Sequence, residues 1–187
     1  MTFKRRRHDA YFTPAWPVYT LLDNWRIPQT IWDPAAGDGG IARPARRRGH
    51  DVVTSDIKKY PGLRLDQLGD FRTIKHIPGE FPPPCSAAIV ANPPYAHPLC
   101  EEFIAHALQL LDRKNSGIDV AAFLLRSDYS HAPTFRPLFE KHYACRLDLT
   151  QRIRWIAGTT ERPRHNHSWF IFDRRHRGPA HHIIQGA

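Results

Sequence analysis

The sequence is short of the residues that build metal sites, disulfide frameworks and membrane spans. It has 3 cysteines in 187 residues. Cys85, Cys100 and Cys145 are odd in number, far apart and in no metal-ligand spacing. That excludes a disulfide scaffold and a cysteine-based zinc site, and it predicts reduced, buried thiols in a cytoplasmic protein. The pair His165-x-His167 has no acidic or cysteine partner at ligand spacing, so no metal is expected. No apolar run approaches the ~20 residues of a membrane span. Nor does one follow the basic start, Met1-Thr2-Phe3-Lys4-Arg5-Arg6-Arg7, as a secretory signal requires. Acidic residues are also scarce: 18 Asp+Glu stand against 27 Lys+Arg, a formal charge of +9 at pH 7. Such a surplus draws a chain to polyanions by Coulomb attraction and counterion release, although a solvated basic surface has the same composition.

What is present suits one globular core. The apolar share is 41%, and the length leaves little room for a second domain. We expect one domain over 1–187, with a basic arm at 1–10, a tail at 174–187 and no separate target-recognition domain. Apolar and amphipathic segments alternate, the pattern of an α/β sheet. Ala15–Asn24 predicts a helix with Pro17 in its first turn. Gln29–Trp32 predicts a strand ending at Asp33, Gly39–Arg48 a short basic helix stopped by Gly49, and Asp51–Ser55 a strand ending at Asp56. A proline-rich loop, Ile77–Pro84, leads to the apolar strand Ala87–Ala91. Leu99–Leu111 carries a helical apolar stripe, and Val120–Leu125 reads as a strand buried on both faces. Phe135–Tyr143 predicts a helix, and Arg146–Ile156 with Ser168–Phe172 a terminal hairpin. Gly178–Ala187, with His181-His182, carries no readable pattern. The architecture is a doubly wound, mostly parallel sheet with a C-terminal antiparallel hairpin.

Three segments carry chemistry. Asp33-Pro34-Ala35-Ala36-Gly37-Asp38-Gly39-Gly40 falls where the first strand turns into a helix, the place where open α/β sheets bind ligands. It lacks the third glycine of the dinucleotide fingerprint, and Asp33 and Asp38 would repel a pyrophosphate. Acidic residues suit a cofactor bearing an ammonium and a sulfonium. Asp56 ends the second strand, where a carboxylate can accept both hydroxyls of a ribose. Asn92-Pro93-Pro94-Tyr95 follows a buried strand directly. An exocyclic base amine is a poor nucleophile until acceptors draw its hydrogens out of plane. The Asn92 side-chain oxygen and the Pro93 carbonyl are two such acceptors, on a turn stiffened by two prolines. Tyr95 offers a face for a base.

With the upstream Tyr11-Phe12-Thr13-Pro14, these segments resemble the amino-methyltransferases, above all the small phage-type adenine-N6 DNA methyltransferases. The likeness runs from about Tyr11 to Phe172. It implies a Rossmann-like class I methyltransferase fold and S-adenosylmethionine as cofactor. It implies that Tyr11, Thr13 and Pro14 border the methionine carboxylate, and that Asp33, Pro34, Ala35, Gly37 and Gly39 cradle the methionine part. Asp56 would hold the ribose. Asp70 and Phe71 would meet the cofactor's adenine, with Asp66 as a competing assignment. Asn92, Pro93, Pro94 and Tyr95 would form the catalytic turn, Asn92 also touching the cofactor. Larger members carry a recognition domain that has no counterpart here, so a short or relaxed DNA target is expected.

Nucleic-acid contacts are expected from the last hairpin, where Arg152, Arg154, Trp155, Arg162, Arg164, His165 and His167 combine cations with π-faces, and from Arg126. Trp155 reads equally as a core residue. Four alternatives stay open: RNA adenine-N6, DNA cytosine-N4 and protein glutamine-N5 methylation, and a nucleic-acid-binding module on a decayed methyltransferase fold.

Overall fold

An eight-stranded sheet organises the computed structural model, which describes residues 13–79, 86–155 and 163–185. Its strands are β1 (Thr30–Asp33), β2 (Asp51–Asp56), β3 (Gln67–Leu68), β4 (Ala87–Ala91), β5 (Ile118–Arg126), β6 (Tyr143–Asp148), β7 (His167–Asp173) and β8 (His181–Ile184). They lie in the order β3-β2-β1-β4-β5-β7-β6-β8. Neighbours from β3 to β5 are parallel, β7 runs antiparallel to β5 and β6, and β8 is parallel to β6.

Both faces of the sheet are covered, and the strand sequences show why. Side chains alternate across a strand, so a strand buried on both faces must be apolar throughout. Ala87–Ala91 and Val120–Leu125 meet that condition, and all of these residues are buried. Ile89, Phe123, Phe170 and Phe172 pack on one face with α3 (Leu99–Asp112), through Phe103, Ile104, Ala107 and Leu111. Val90, Leu124, Trp169 and Ile171 pack on the other, with α1 (Ala15–Asn24) and α2 (Ala42–Arg47). Trp169 also pins α1 to the sheet, its Nε1 donating to the Pro17 carbonyl at 2.8 Å in a buried bond.

Four sequence expectations need correction. Phe135–Tyr143 is not an α-helix. It holds one 3-10 turn, Arg136–Phe139, with Pro137 near its start. Its aromatic residues serve tertiary packing instead: Phe135 is buried, and Phe139 stacks on Phe172 with ring centroids 5.7 Å apart. The first hairpin strand begins earlier than expected and stops at Asp148, whose carboxylate accepts from Arg146 Nε (2.7 Å), Ser168 Oγ (2.5 Å) and His182 Nε2 (2.8 Å). The basic helix starts late, at Ala42, since Gly37 (φ 53°) and Gly39 (φ 92°) hold left-handed turns ahead of it. The segment expected as a tail joins the sheet: His181–Ile184 adds β8, and Gln185 receives a bond from Thr20 Oγ1 on α1 (3.3 Å). The two-residue β3 has no sequence signal of its own.

Trp169→Phe removes the buried N–H that meets the Pro17 carbonyl and leaves the space of one fused ring empty. A loss of about 2–4 kcal/mol in unfolding free energy is expected by urea titration, with unchanged far-ultraviolet dichroism.

Candidate active site

Parallel pairing of β2, β1 and β4 sets three strand ends side by side on the carboxyl edge of the sheet. The residues there are Asp56, Asp33 and, one past β4, Asn92. The glycine turn after β1 is tied to β2: Gly37 N–H donates to Asp56 Oδ2 (2.8 Å) and Ala36 N–H to the Ser55 carbonyl (3.1 Å). Lys58 N–H donates to the other Asp56 oxygen (2.9 Å). Gly40 lies against the segment that precedes α1. A Cβ built there would stand 2.5 Å from the Thr13 carbonyl oxygen and 2.9 Å from its nitrogen, so only glycine allows this approach.

These contacts enclose a cleft lined by Thr13, Asp33, Ala35, Gly37, Asp38 and Asn92, with about 230 Å³ of empty space counting its open mouth. Asp33 is wholly buried. Its Oδ1 accepts from Ala35 N–H (3.4 Å), whereas Oδ2 has no hydrogen-bond partner among the described residues. Burial, reinforced by the nearby Asp56 carboxylate, pushes the Asp33 pKa well above the ordinary carboxylate range. Burial raises Asp56 as well, against the backbone N–H groups that it accepts. A cleft with an unsatisfied buried carboxylate oxygen and a second acid, Asp38, on its wall suits a ligand that brings a cationic N–H donor.

Asn92 Nδ2 donates to Thr13 Oγ1 (3.2 Å), which turns Oδ1 to the other side of the amide. Pro93 is buried beside it. The chain then crosses the end of β5, where Tyr95 Oη donates to the Leu124 carbonyl (3.0 Å). Around Tyr95 stand three more rings. Tyr129 is nearly parallel (12°) with centroids 6.1 Å apart, while Trp155 and His167 both meet Tyr95 edge to face at 6.5 Å. Trp155 and His167 are 5.1 Å from each other. Trp155 thus belongs both to this cluster and, in part, to the core on the α1 side. His167 is 3% exposed, and burial pushes its pKa down to about 4, so the ring is neutral at physiological pH.

Other expected residues lie apart from the cleft wall. Pro34 and Gly39 are buried in the turn, and Pro14 caps α1. Asp70 caps the 3-10 turn Phe71–Thr73 and accepts from Arg72 Nη2 (2.6 Å). The Phe71 ring is 3% exposed and packs on Trp32 (5.1 Å), Phe103 (4.5 Å) and His106 (4.9 Å). Core packing therefore accounts for that ring. Asp66 staples β2, accepting from Thr54 N–H (2.7 Å) and Oγ1 (2.9 Å). Tyr11 and Arg162 lie outside the described residues.

The exposed cations flank the aromatic cluster. Arg126 pairs with Asp128, and Arg152 donates to Asn166 Oδ1 (2.8 Å) and the Pro163 carbonyl (3.3 Å). Arg154, Arg164 and His165 are exposed. Partial burial first, and then the charge of Arg126, lower the His165 pKa, with Arg164 and Arg152 adding to the effect. Sequence reasoning passed over one residue here. Ile57, directly after Asp56, is a large apolar side chain left 68% exposed. An apolar residue immediately following a strand-terminal acid was the available signal for it.

No family model matches the chain, and no curated protein matches it in sequence. Solved structures do match its fold. A candidate RNA methyltransferase from Pyrococcus horikoshii aligns with a TM-score of 0.56 at 17% identity, covering 85% of this chain and 80% of that one. A candidate class I S-adenosylmethionine-dependent methyltransferase from Listeria monocytogenes aligns at 0.52 and 14%, covering 91% and 61%. A dimethyladenosine transferase from Plasmodium falciparum aligns at 0.51 and 12%, covering 87% and 62%. The sheet order, with its antiparallel β7, is that of the class I methyltransferase fold, Rossmann-like in its parallel half. Among the described residues no helix is long and apolar enough to cross a membrane, and no group of three or more His, Cys, Asp or Glu could hold a metal ion.

Two tests follow from the geometry. Gly40→Ala places a methyl group against Thr13 backbone, so it should lower the thermal midpoint by several degrees and open the cleft wall; an unchanged midpoint would show that the segment yields freely. His167 gives a sign for acid sensitivity. Its pKa falls from 6.5 to about 4 on folding. The unfolded chain therefore binds the proton first, and stability drops as pH falls from 6.5 towards 4. The loss between pH 7 and 4.5 should reach about 2–3 kcal/mol. Asp33, raised on folding, acts in the opposite sense, so the readout is the difference between wild type and His167→Phe, which should lose less.

Proposed function

We propose that this protein is an S-adenosylmethionine-dependent methyltransferase acting on the exocyclic N6 amine of adenine in DNA. The observation that carries the reading is the placement of Asn92-Pro93-Pro94-Tyr95. It stands at the carboxyl edge of a class I methyltransferase sheet, one strand from the buried, unsatisfied Asp33 and within a hydrogen bond of Thr13.

The residues fit the cofactor. Asp33 and Asp38, with the backbone of Ala35 and Gly37, would hold the methionine end, where a bound ammonium answers the open Asp33 oxygen. Asp56 would take the ribose hydroxyls on its remaining lone pairs, and exposed Ile57 would lie against the adenine ring. Asp70 would accept from the adenine amino group. Bound there, S-adenosylmethionine supplies an electrophilic methyl group on a sulfonium.

The protein's own part is positioning and charge. Asn92 Oδ1 and the Pro93 carbonyl accept the two hydrogens of the target amine, which localises its lone pair. Both bonds strengthen as the nitrogen gains positive charge during methyl transfer. The Tyr95 ring, held from its hydroxyl end by Leu124, supports the base. The amine proton leaves to solvent, and no covalent enzyme intermediate is required. Because the target atom is stacked inside a duplex, the base must be flipped out or the strand must be single. Arg126, Arg152, Arg154 and Arg164 would meet the phosphates beside the aromatic cluster, and the +9 charge favours that partner over a protein glutamine.

One observation supports a second reading: the names of two fold neighbours point to RNA methyltransferase and dimethyladenosine transferase activity. Nucleoside mass spectrometry on unmethylated DNA and RNA, incubated with S-adenosylmethionine and the protein, separates the readings. N6-methyldeoxyadenosine in DNA is expected. A mark only in RNA or only on cytosine replaces the substrate while keeping the chemistry. Asn92→Ala should lower kcat by at least about 100-fold and leave cofactor affinity within a few-fold by calorimetry. An active Asn92→Ala enzyme would falsify the assignment of the turn.

A further inference from the structure

His167 has a feature that packing does not explain. The imidazole is 3% exposed, and its Nδ1 makes no hydrogen bond of normal geometry among the described residues, with the His165 backbone as a polar neighbour. A phenylalanine would fill the same space beside Trp155 and Tyr95 without leaving a bare polar nitrogen in the interior. A buried polar group kept at such a disadvantage marks a place that a ligand satisfies.

Its position fits that role. His167 opens β7 at the carboxyl edge, in register with Arg126 at the end of β5. It alternates with Trp169 and Ile171, whose side chains share the α1-side core with Ala88 and Val90 of β4. Asn92 continues the β4 alternation and bonds Thr13 just ahead of α1. His167 and Asn92 therefore stand on one face of the sheet at one edge, with the Tyr95 ring crossing β5 between them. The imidazole meets Tyr95 and Trp155 edge to face, so its rim shares the space where a base on Tyr95 would lie.

We propose that Nδ1 of His167 hydrogen-bonds a ring nitrogen of the base held on Tyr95, and so selects which base is methylated. This rests on the base-methyltransferase reading above and names the residue that sets its specificity. A neutral imidazole has one N–H to give and carries no charge to attract phosphate into the pocket. The ring nitrogens that flank the amine of adenine, N1 and N7, have only lone pairs, so Nδ1 carries the proton and donates.

The test crosses protein variants with base analogues. Single-stranded oligodeoxynucleotides carry one target adenine, 1-deazaadenine or 7-deazaadenine, each analogue replacing one lone pair by C–H. For wild type, one of the two analogues should lower kcat/KM by roughly 10-fold relative to adenine. His167→Phe should accept adenine and that analogue alike while keeping its cofactor affinity. His167→Asn, whose amide nitrogen reaches about as far as Nδ1, should restore the discrimination. If His167→Phe does not fold, the wild-type ratios and His167→Asn still decide. Equal rates on all three bases in an active wild type, or the same ratios in wild type and His167→Phe, overturn the role of His167 alone. No methylation of the unmodified adenine by wild type overturns the adenine reading, and this inference with it.

Discussion

The site depends on parallel pairing at the centre of the sheet. β1 lies between β2 and β4, and all three run the same way, so Asp33, Asp56 and Asn92 reach the same edge in adjacent rows. Reversing any one of these strands would send its functional residue to the opposite end of the domain. The apolar character of β4 and β5 enforces this placement, because strands buried on both faces are stable only in the middle of a covered sheet. The bond from Gly37 N–H to Asp56 Oδ2 then fixes how closely the first turn sits against the second strand.

The charges at the site follow from burial. Desolvation raises the carboxyl groups of Asp33 and Asp56 and lowers the imidazole of His167, in each case favouring the neutral form. A cationic ligand would draw these acids back to the charged form on one side of the site, while the aromatic cluster on the other stays uncharged. Cations are kept to the outside, where Arg152, Arg154 and Arg164 are exposed. This division suits a reaction in which a positive methyl donor meets a neutral base attached to a negative backbone.

Local chemistry explains which elements were legible. Ala15–Asn24 has its helix boundaries set by Pro14 and by the apolar period, and the structure returns the same limits. Ala87–Ala91 is similarly exact in extent because the Asn-Pro-Pro turn cannot continue a strand. The segment around Phe135 failed, since its aromatic spacing imitates a helical stripe while Phe135 and Phe139 are taken up by packing against the sheet and its neighbours. β8 failed for the opposite reason. His181–Ile184 has a weak local pattern and becomes a strand only because the edge of β6 offers a ladder and Asp148 takes His182.

The sequence by itself determined the doubly wound sheet, the turn at Asp33–Gly40 and the Asn92–Tyr95 tetrapeptide, because each rests on residues adjacent in the chain: glycines that permit positive φ, prolines that fix it, and apolar runs. Tertiary structure alone decided that Thr13 closes on Gly40, that Ile57 stays exposed beside Asp56, and that Tyr129, Trp155 and His167 gather around Tyr95. Those relations join residues far apart in sequence. They arise from strand order, which sets β7 between β5 and β6 and brings His167 level with Arg126, and no local pattern encodes that order.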